Sequence, residues 1–349
     1  MKAAFRKYTL NFIRPGGTSR GVLTQKETYL ICLEADGRWG IGEAGLFRGL
    51  SADDCPDYET RLGNACKALE AGSGGVLEAL REYPSIVFGL EQALRSLKSA
   101  NPFELFPSRF LEGDPIPING LIWMGELPFM QQQIQEKIEA GFQCLKLKIG
   151  ALDFESELRL LRQVRRRFGP EDLEIRVDAN GAFSAGEALD KLQALSELGL
   201  HSIEQPIRAG QPGQMADLCS RTPLPIALDE ELIGCNHPEE KASLLERIRP
   251  QYIILKPSLV GGITGSTEWI EAAEALRIGW WVTSALESNI GLNAIAQWTA
   301  TLDVHMPQGL GTGSLFSNNF ESPLEVSGGQ LWYRPEKKWA TPQIKEACI

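Results

Sequence analysis

Residues 144–150 read CLKLKIG. In an extended strand alternate side chains leave opposite faces, so Lys146 and Lys148 share one face while Leu145, Leu147 and Ile149 share the other. The apolar face suits packing against outer helices. That leaves two ammonium groups aimed into the protein, where desolvation is expensive. The plain alternative is a misassigned strand with both lysines in water.

Four further short apolar runs settle the choice. LEIRVDAN (173–180) ends on Asp178, HSIEQP (201–206) on Glu204, PIALDEE (225–231) on Asp229 and QYIILKP (251–257) on Lys256. From Lys148 onward the successive separations are 30, 26, 25 and 27 residues. A (β/α)₈ barrel spends about 31 residues per strand–helix unit and builds its active site at the carboxyl ends of the strands. The beat matches one such unit, so the five residues fall around one mouth. IPINGLIW (116–123) followed by a helix at 127–140 reads as unit one, WWVTSALES (280–288) as strand seven and a short segment near GLGTG (309–313) as strand eight. Ser284 and Thr312 continue the beat at 28 and 28 residues.

The first part is patterned differently. Residues 4–14, 26–35 and 38–44 alternate as strands of an antiparallel meander, with Asp36-Gly37 as a hairpin signal. Helical periodicity follows at 53–71, 75–82 and 84–99, with Pro84 suited to a first turn. The expected fold class is α/β: a modified eight-stranded (β/α) barrel over 113–319, with an N-terminal α+β capping domain over 1–112. The tail, about 320–349, is expected to return to the cap through an edge strand at 324–333.

The 349-residue length suits a barrel plus a smaller companion, and 43% hydrophobic with 23% charged residues is ordinary for a globular protein. A net charge of −10 argues against nucleic acid as a partner. The basic cluster Arg162, Arg165, Arg166 and Arg167 reads as a solvated helix face. The seven cysteines are scattered without a CxxC, which suggests neither a zinc site nor a redox pair. MKAAFRKYTLNFIRP lacks a signal-peptide apolar core, and no apolar run is long enough to span a membrane. A cytoplasmic setting with no membrane partner is the expectation.

Three carboxylates converging without a cation would repel one another. Hard oxygens with no nearby His or Cys favour Mg²⁺, with Mn²⁺ as its substitute. A helix-cap role is the commoner explanation for any one such acid, but not for three in phase. Asp178, Glu204 and Asp229 are therefore the candidate metal ligands. Lys148, nearest the carboxyl end, is the candidate base, its pKa expected to fall through repulsion by Lys146. Lys256 faces it across the mouth, or is a salt-bridge lysine. Asn180 is a supporting candidate; Glu230 is another, although strand geometry would point it away. A dication, three carboxylates and two lysines come close to neutrality, so the site can accept a small anionic carboxylate substrate.

KLK at 146–148, DAN at 178–180, IEQP at 203–206, LDE at 228–230 and LKP at 255–257 resemble the enolase superfamily, in its muconate-lactonising subgroup. The resemblance covers nearly the whole chain. SALESNIGL at 284–292, GLGTG at 309–313, TSRGVLTQKETYLI and PSIVFGLEQAL resemble the o-succinylbenzoate synthase family, whereas dipeptide epimerases carry a DxD pair where GLGTG stands. This resemblance implies that Lys148 abstracts a proton alpha to a carboxylate, that Mg²⁺ holds the enediolate, that hydroxide leaves as water, and that Lys256 stabilises the other face. An N-acylamino acid racemase would use the same groups with a lysine on each face. A Schiff-base aldolase barrel and a non-catalytic scaffold are the rivals from other classes. Gly16–Gly21 and Gly42–Gly49 are candidate lids or ordinary connections. Ser284, Ser288, Gly311, Thr312 and Arg20 are the candidate substrate contacts, with amides near Ser284, Ser288 and Gly311–Gly313 as anion anchors.

Overall fold

The computed structural model describes residues 1–18 and 21–348. The chain starts with a long antiparallel meander, β1 (Lys2–Thr18), β2 (Gly21–Ala35) and β3 (Arg38–Ala44). The β2–β3 turn is made by Asp36 and Gly37, both at positive φ, 51° and 74°. Helices α1 (Tyr58–Glu70) and α3 (Pro84–Lys98) pack on this sheet, with the short α2 (Val76–Ala79) set against both helices. Tyr29, Ile31, Leu33, Leu62, Ile86 and Leu90 form the shared core, all essentially inaccessible to water. The expected strands and helices are therefore present, with β1 and β2 longer than the alternation alone suggests.

Seven parallel strands follow in unbroken spatial order: β5 (Gly120–Ile122), β6 (Cys144–Lys148), β7 (Glu174–Asp178), β8 (Ser202–Glu204), β9 (Ile226–Leu228), β10 (Tyr252–Leu255) and β11 (Gly279–Val282). The intervening helices are α4 (Leu127–Glu139), α5 (Phe154–Arg167), α6 (Ala185–Ser196), α7 (Pro212–Arg221), α8 (Pro238–Ile248) and α9 (Gly262–Ala275), with α10 (Asn289–Thr299) after β11. The ring closes through a minimal eighth strand: Gln308 bridges Ile118 and Gly309 bridges Thr283, both in parallel. Strand eight is thus a short segment, 308–309, at the start of the GLGTG stretch, as expected. Residues 312–315 turn instead into a 3₁₀ segment.

Strand one is split. β4 (Ile116–Pro117) pairs with the tail hairpin β12 (Leu324–Ser327)–β13 (Gln330–Tyr333), while β5 enters the barrel. The tail strands therefore dock at the amino-terminal end of the barrel, beside the start of β6, rather than on the cap. What does reach the cap is α11 (Thr341–Cys348), whose Ile344 is buried with Leu30 and Ile41. A disulfide joins Cys32 of β2 to Cys348 across 316 residues, a pairing that the cysteine spacing did not suggest. Arg165 also departs from expectation: it is half-buried and donates to the carbonyls of Leu173 and Leu198 at 2.6 and 2.8 Å. Among the described residues no helix is long and apolar enough to cross a membrane.

Candidate active site

Parallel register assembles the site. Lys148 is level with Asp178, and Asp178 with Glu204, while Asp229 stands two residues beyond Ala227, the partner of Glu204. An offset of two residues keeps the face, so all four side chains enter the barrel mouth, with Asp229 one step further along its strand. Lys148 Nζ donates to Asp178 Oδ2 at 2.9 Å and to Asn180 Oδ1 at 2.8 Å. Lys146 Nζ lies 3.0 Å from the same Asp178 oxygen and also contacts Glu204. Lys256 Nζ is 2.5 Å from Asp229 Oδ2 and 3.6 Å from Glu204 Oε1. Asp178, Glu204 and Asp229 are 0%, 2% and 3% exposed, so these charges interact with little screening by water.

Opposite charges dominate. Burial pushes Asp178 and Asp229 up, but the lysines outweigh it and hold both below the usual carboxylate range. Burial likewise pushes Lys146 and Lys256 down, and the facing carboxylates outweigh it and raise both. Lys146, between Asp178 and Glu204, and Lys256, between Glu204 and Asp229, are thus held as ammoniums by the acids they contact. Glu204 is the exception among the acids. Burial and the neighbouring Asp178 charge push it up to about 8. Its ion pairs are off hydrogen-bond geometry, and neither of its oxygens has a hydrogen-bond donor.

Among the described residues no three His, Cys, Asp or Glu side chains are gathered closely enough to form a ready metal cage. The ammoniums occupy the spaces between the acids. The donor set still suits a hard divalent cation: three buried carboxylates, one lacking hydrogen-bond donors, with no His or Cys beside them.

Two local backbone features complete the row. Asn180 adopts φ 45°, which returns its amide to Asp178 Oδ1 at 3.0 Å and leaves its side chain over the mouth. Asp229 has ψ −81° and opens a 3₁₀ turn, so strand alternation stops there. Glu230 consequently turns inward and accepts from Asn180 Nδ2 at 3.0 Å, contrary to the expectation that it points away. Gln205, which alternation gave no reason to single out, is fully buried at φ 39°. Its Oε1 accepts the amides of Asp229 and Glu231 at 3.1 and 3.3 Å, fastening the Glu204 strand end to the next one.

The cavity above the row is lined by Lys146, Lys148, Asn180 and Lys256 below and by Leu23, Phe47, Leu50, Leu121, Trp123, Leu286 and Leu315 around it. Phe47 and Leu50 lie just past β3, so the Gly42–Gly49 stretch divides: Gly42–Ala44 are buried strand and the following loop forms wall. Gly16 and Gly17 lie against Trp123 and Met124, with Met124 N donating to Gly17 O at 3.2 Å. Arg20 lies outside the described residues. Ser284, Gly311 and Thr312 line the cavity. The Ser284 amide, however, is spent on Gly309 O at 3.0 Å and cannot anchor an anion. Ser288 does not line it; fully buried, it caps α10 and bonds Glu43 at 2.5 Å. Asn119 and Thr283, unmarked by the sequence pattern, also line it, and Asn119 Oδ1 and Thr283 Oγ1 are buried without a hydrogen-bond partner.

Barrel, cap and a row of acids and lysines at the strand ends define an enolase-type acid/base site. The Enolase C-terminal domain-like family matches residues 130–337. An o-succinylbenzoate synthase from Desulfotalea psychrophila is 48% identical over 95% of this chain and 98% of that protein. The crystal structure of MenC from the same organism superposes with a TM-score of 0.85 at 46% identity, covering 95% of this chain and 99% of that one. A muconate lactonizing enzyme from Pseudomonas fluorescens, at 21% identity and a TM-score of 0.82, shares the fold over 100% of this chain and 98% of that one. The chain belongs to the enolase superfamily and, within it, to the o-succinylbenzoate synthase family.

Proposed function

We propose that this chain is an o-succinylbenzoate synthase, a carbon–oxygen lyase that dehydrates a succinyl-hydroxycyclohexadiene carboxylate in menaquinone biosynthesis. The observation that carries the reading is 48% identity along nearly the full length of both proteins. The acid–lysine row under an apolar cavity supports it. The proposed setting is cytoplasmic, and the proposed partner is the small carboxylate substrate alone, without nucleic acid or membrane.

Asp178, Glu204 and Asp229 would hold Mg²⁺, or Mn²⁺ in its place. Bound there, the ion supplies Lewis-acid charge to the substrate carboxylate. From its neutral form, Lys148 Nζ takes the proton alpha to that carboxylate, and the C–H electron pair moves toward the carboxylate. As the pair returns, the C–O bond to the hydroxyl breaks. Lys148 gives the same proton to the departing hydroxide, and water leaves. One base on one face thus serves both steps, and aromatisation of the ring drives the second. Lys256 offers positive charge from the other side. The apolar wall excludes bulk water, which strengthens each of these charge interactions.

A second reading, an N-acylamino acid racemase, is favoured by the placement of Lys148 and Lys256 at opposite ends of the row. Turnover of both substrates by the Mg²⁺-loaded protein separates the two. Formation of o-succinylbenzoate, lost with EDTA and restored by Mg²⁺, is expected. Folded, Mg²⁺-loaded protein that produces none overturns the dehydratase.

A further inference from the structure

Outside the acid–lysine row, Lys26, Glu43 and Glu287 are among the described ionisable side chains buried where the cap meets the barrel. Glu43 is committed to structure, accepting from Thr28 Oγ1, Ser288 Oγ and the amides of Ser288 and Gly291 at the start of α10. Glu287 is different, because its bonds lead toward the cavity. It is 0% exposed and accepts from Ser258 Oγ and Ser284 Oγ, both at 2.5 Å. Thr312 Oγ1 then donates to Ser284 Oγ at 2.8 Å.

A hydroxyl has one proton to give. That of Ser284 goes to Glu287, so Ser284 can only accept from Thr312, and the Thr312 proton is spent as well. Both residues nevertheless line the cavity. The cap holds the carboxylate in place. A Cβ on Gly45 would stand 3.2 Å from Glu287 Cγ and 3.4 Å from Ser258 Cβ, so a larger residue there would push on the carboxylate and its serine partner. Lys26 Nζ, 3.5 Å from Gly45 O, supplies the compensating charge: burial pushes the ammonium down, and Glu287 and Glu43 oppose that push.

We propose that Glu287 is a positioning residue that sets the hydroxyl polarity of the cavity wall: Ser284, which also accepts the amides of Leu286 and Glu287, is fully committed, and Thr312 presents lone pairs, not a proton, to the substrate. The proposal rests on the functional reading above and deepens it. The substrate group seated against Thr312 is then a hydrogen-bond donor, such as a neutral hydroxyl, and not a carboxylate oxygen.

Neutron diffraction from deuterium-exchanged crystals of the full chain tests the relay without reference to the reaction. The Ser284 deuteron is expected on the Glu287 side and the Thr312 deuteron on the Ser284 side. A Thr312 deuteron pointing into the cavity overturns the proposal. Kinetics give the second arm. In E287Q the new amide donates to Ser284 and reverses the relay, so KM should rise about tenfold with a smaller change in kcat. In a T312V background E287Q should add less than about twofold, since coupled sites are non-additive. Additive effects, or a loss confined to kcat, sink the idea. Should E287Q fail to fold, S284A replaces it in the same cycle with the same expected and overturning outcomes. A wild-type protein that does not turn over the substrate defeats the functional reading, while the deuteron positions still decide the relay.

Discussion

Lys148 and Lys256 grip opposite ends of one row of acids: Lys148 reaches Asp178 at 2.9 Å and Lys256 reaches Asp229 at 2.5 Å, with Glu204 between them. The two ends are not equivalent. Lys148 is also held by Asn180, which aims its nitrogen along the barrel mouth. Lys148→Ala should lower kcat by at least about 10²-fold, the ordinary contribution of a general base, with the fold intact by circular dichroism. Near-normal turnover would remove Lys148 from the mechanism.

Lys256→Ala should separate the two enzyme readings. Racemisation needs a proton donor on the second face and should vanish altogether. Dehydration should be slowed but still measurable, because one base serves both of its steps. Measuring both reactions in the same preparation decides the matter, and complete loss of dehydration alongside racemisation would contradict the single-base scheme.

Glu204 makes a metal prediction that does not depend on turnover. A buried carboxylate without hydrogen-bond donors destabilises the metal-free fold, and its raised pKa, about 8, expresses the same strain. Glu204→Gln should therefore be at least as stable as the parent without metal. Mg²⁺ should raise the parent's melting temperature, by the equivalent of about 2.7 kcal/mol at a hundredfold excess over Kd, and leave Glu204→Gln unmoved. An undiminished Mg²⁺ response in that variant would exclude Glu204 as a ligand.

Much of this site could be read from the residues because strand ends repeat. Lys148, Asp178, Glu204, Asp229 and Lys256 needed only alternation and a constant interval. What escaped notice depends on where the backbone leaves that pattern. Glu230 turns inward because Asp229 departs from extended geometry, and Gln205 works through a left-handed backbone that no alternation rule describes. Ser288 looked like a ligand contact and is a helix cap, since Glu43 arrives from 245 residues away. The signal available for Glu287 was an acid beside apolar residues in SALES, a stretch that leaves β11 and runs on to α10.

The Cys32–Cys348 link ties α11 to the cap, and closing a 316-residue loop limits the unfolded chain strongly. Chain entropy alone sets an upper figure of about 5–6 kcal/mol, against about 2–5 found when native disulfides are removed. Cys348→Ser should lower the melting temperature and abolish its sensitivity to dithiothreitol. Such bonds are rare in a reducing cytoplasm, so the parent's state in cell extracts is informative too. Seven free thiols in the native parent protein would show that the bond does not form.

Asp53 should give the fold a distinct acid-side dependence. It is 2% exposed and accepts the amide and hydroxyl of Ser85 at 2.9 and 2.6 Å, at the first turn of α3. Burial pushes its pKa from 3.8 up to about 6, and the Ser85 bonds only partly oppose this. A carboxyl whose folded pKa lies above its unfolded value stabilises the fold while protonated. That contribution is complete below about pH 4 and lost as pH rises through about 6, to the extent of roughly 3 kcal/mol. Asp178 and Asp229, both lowered, act in the opposite sense, since their contribution is lost only as pH falls below the ordinary carboxylate range. Glu204, raised to about 8, acts in the same sense as Asp53, so urea unfolding between pH 4 and 7 should show a decline with rising pH that Asp53→Asn makes shallower without abolishing it. Parallel curves for the two proteins across that window would mean that Asp53 is ionised in the fold at little expense.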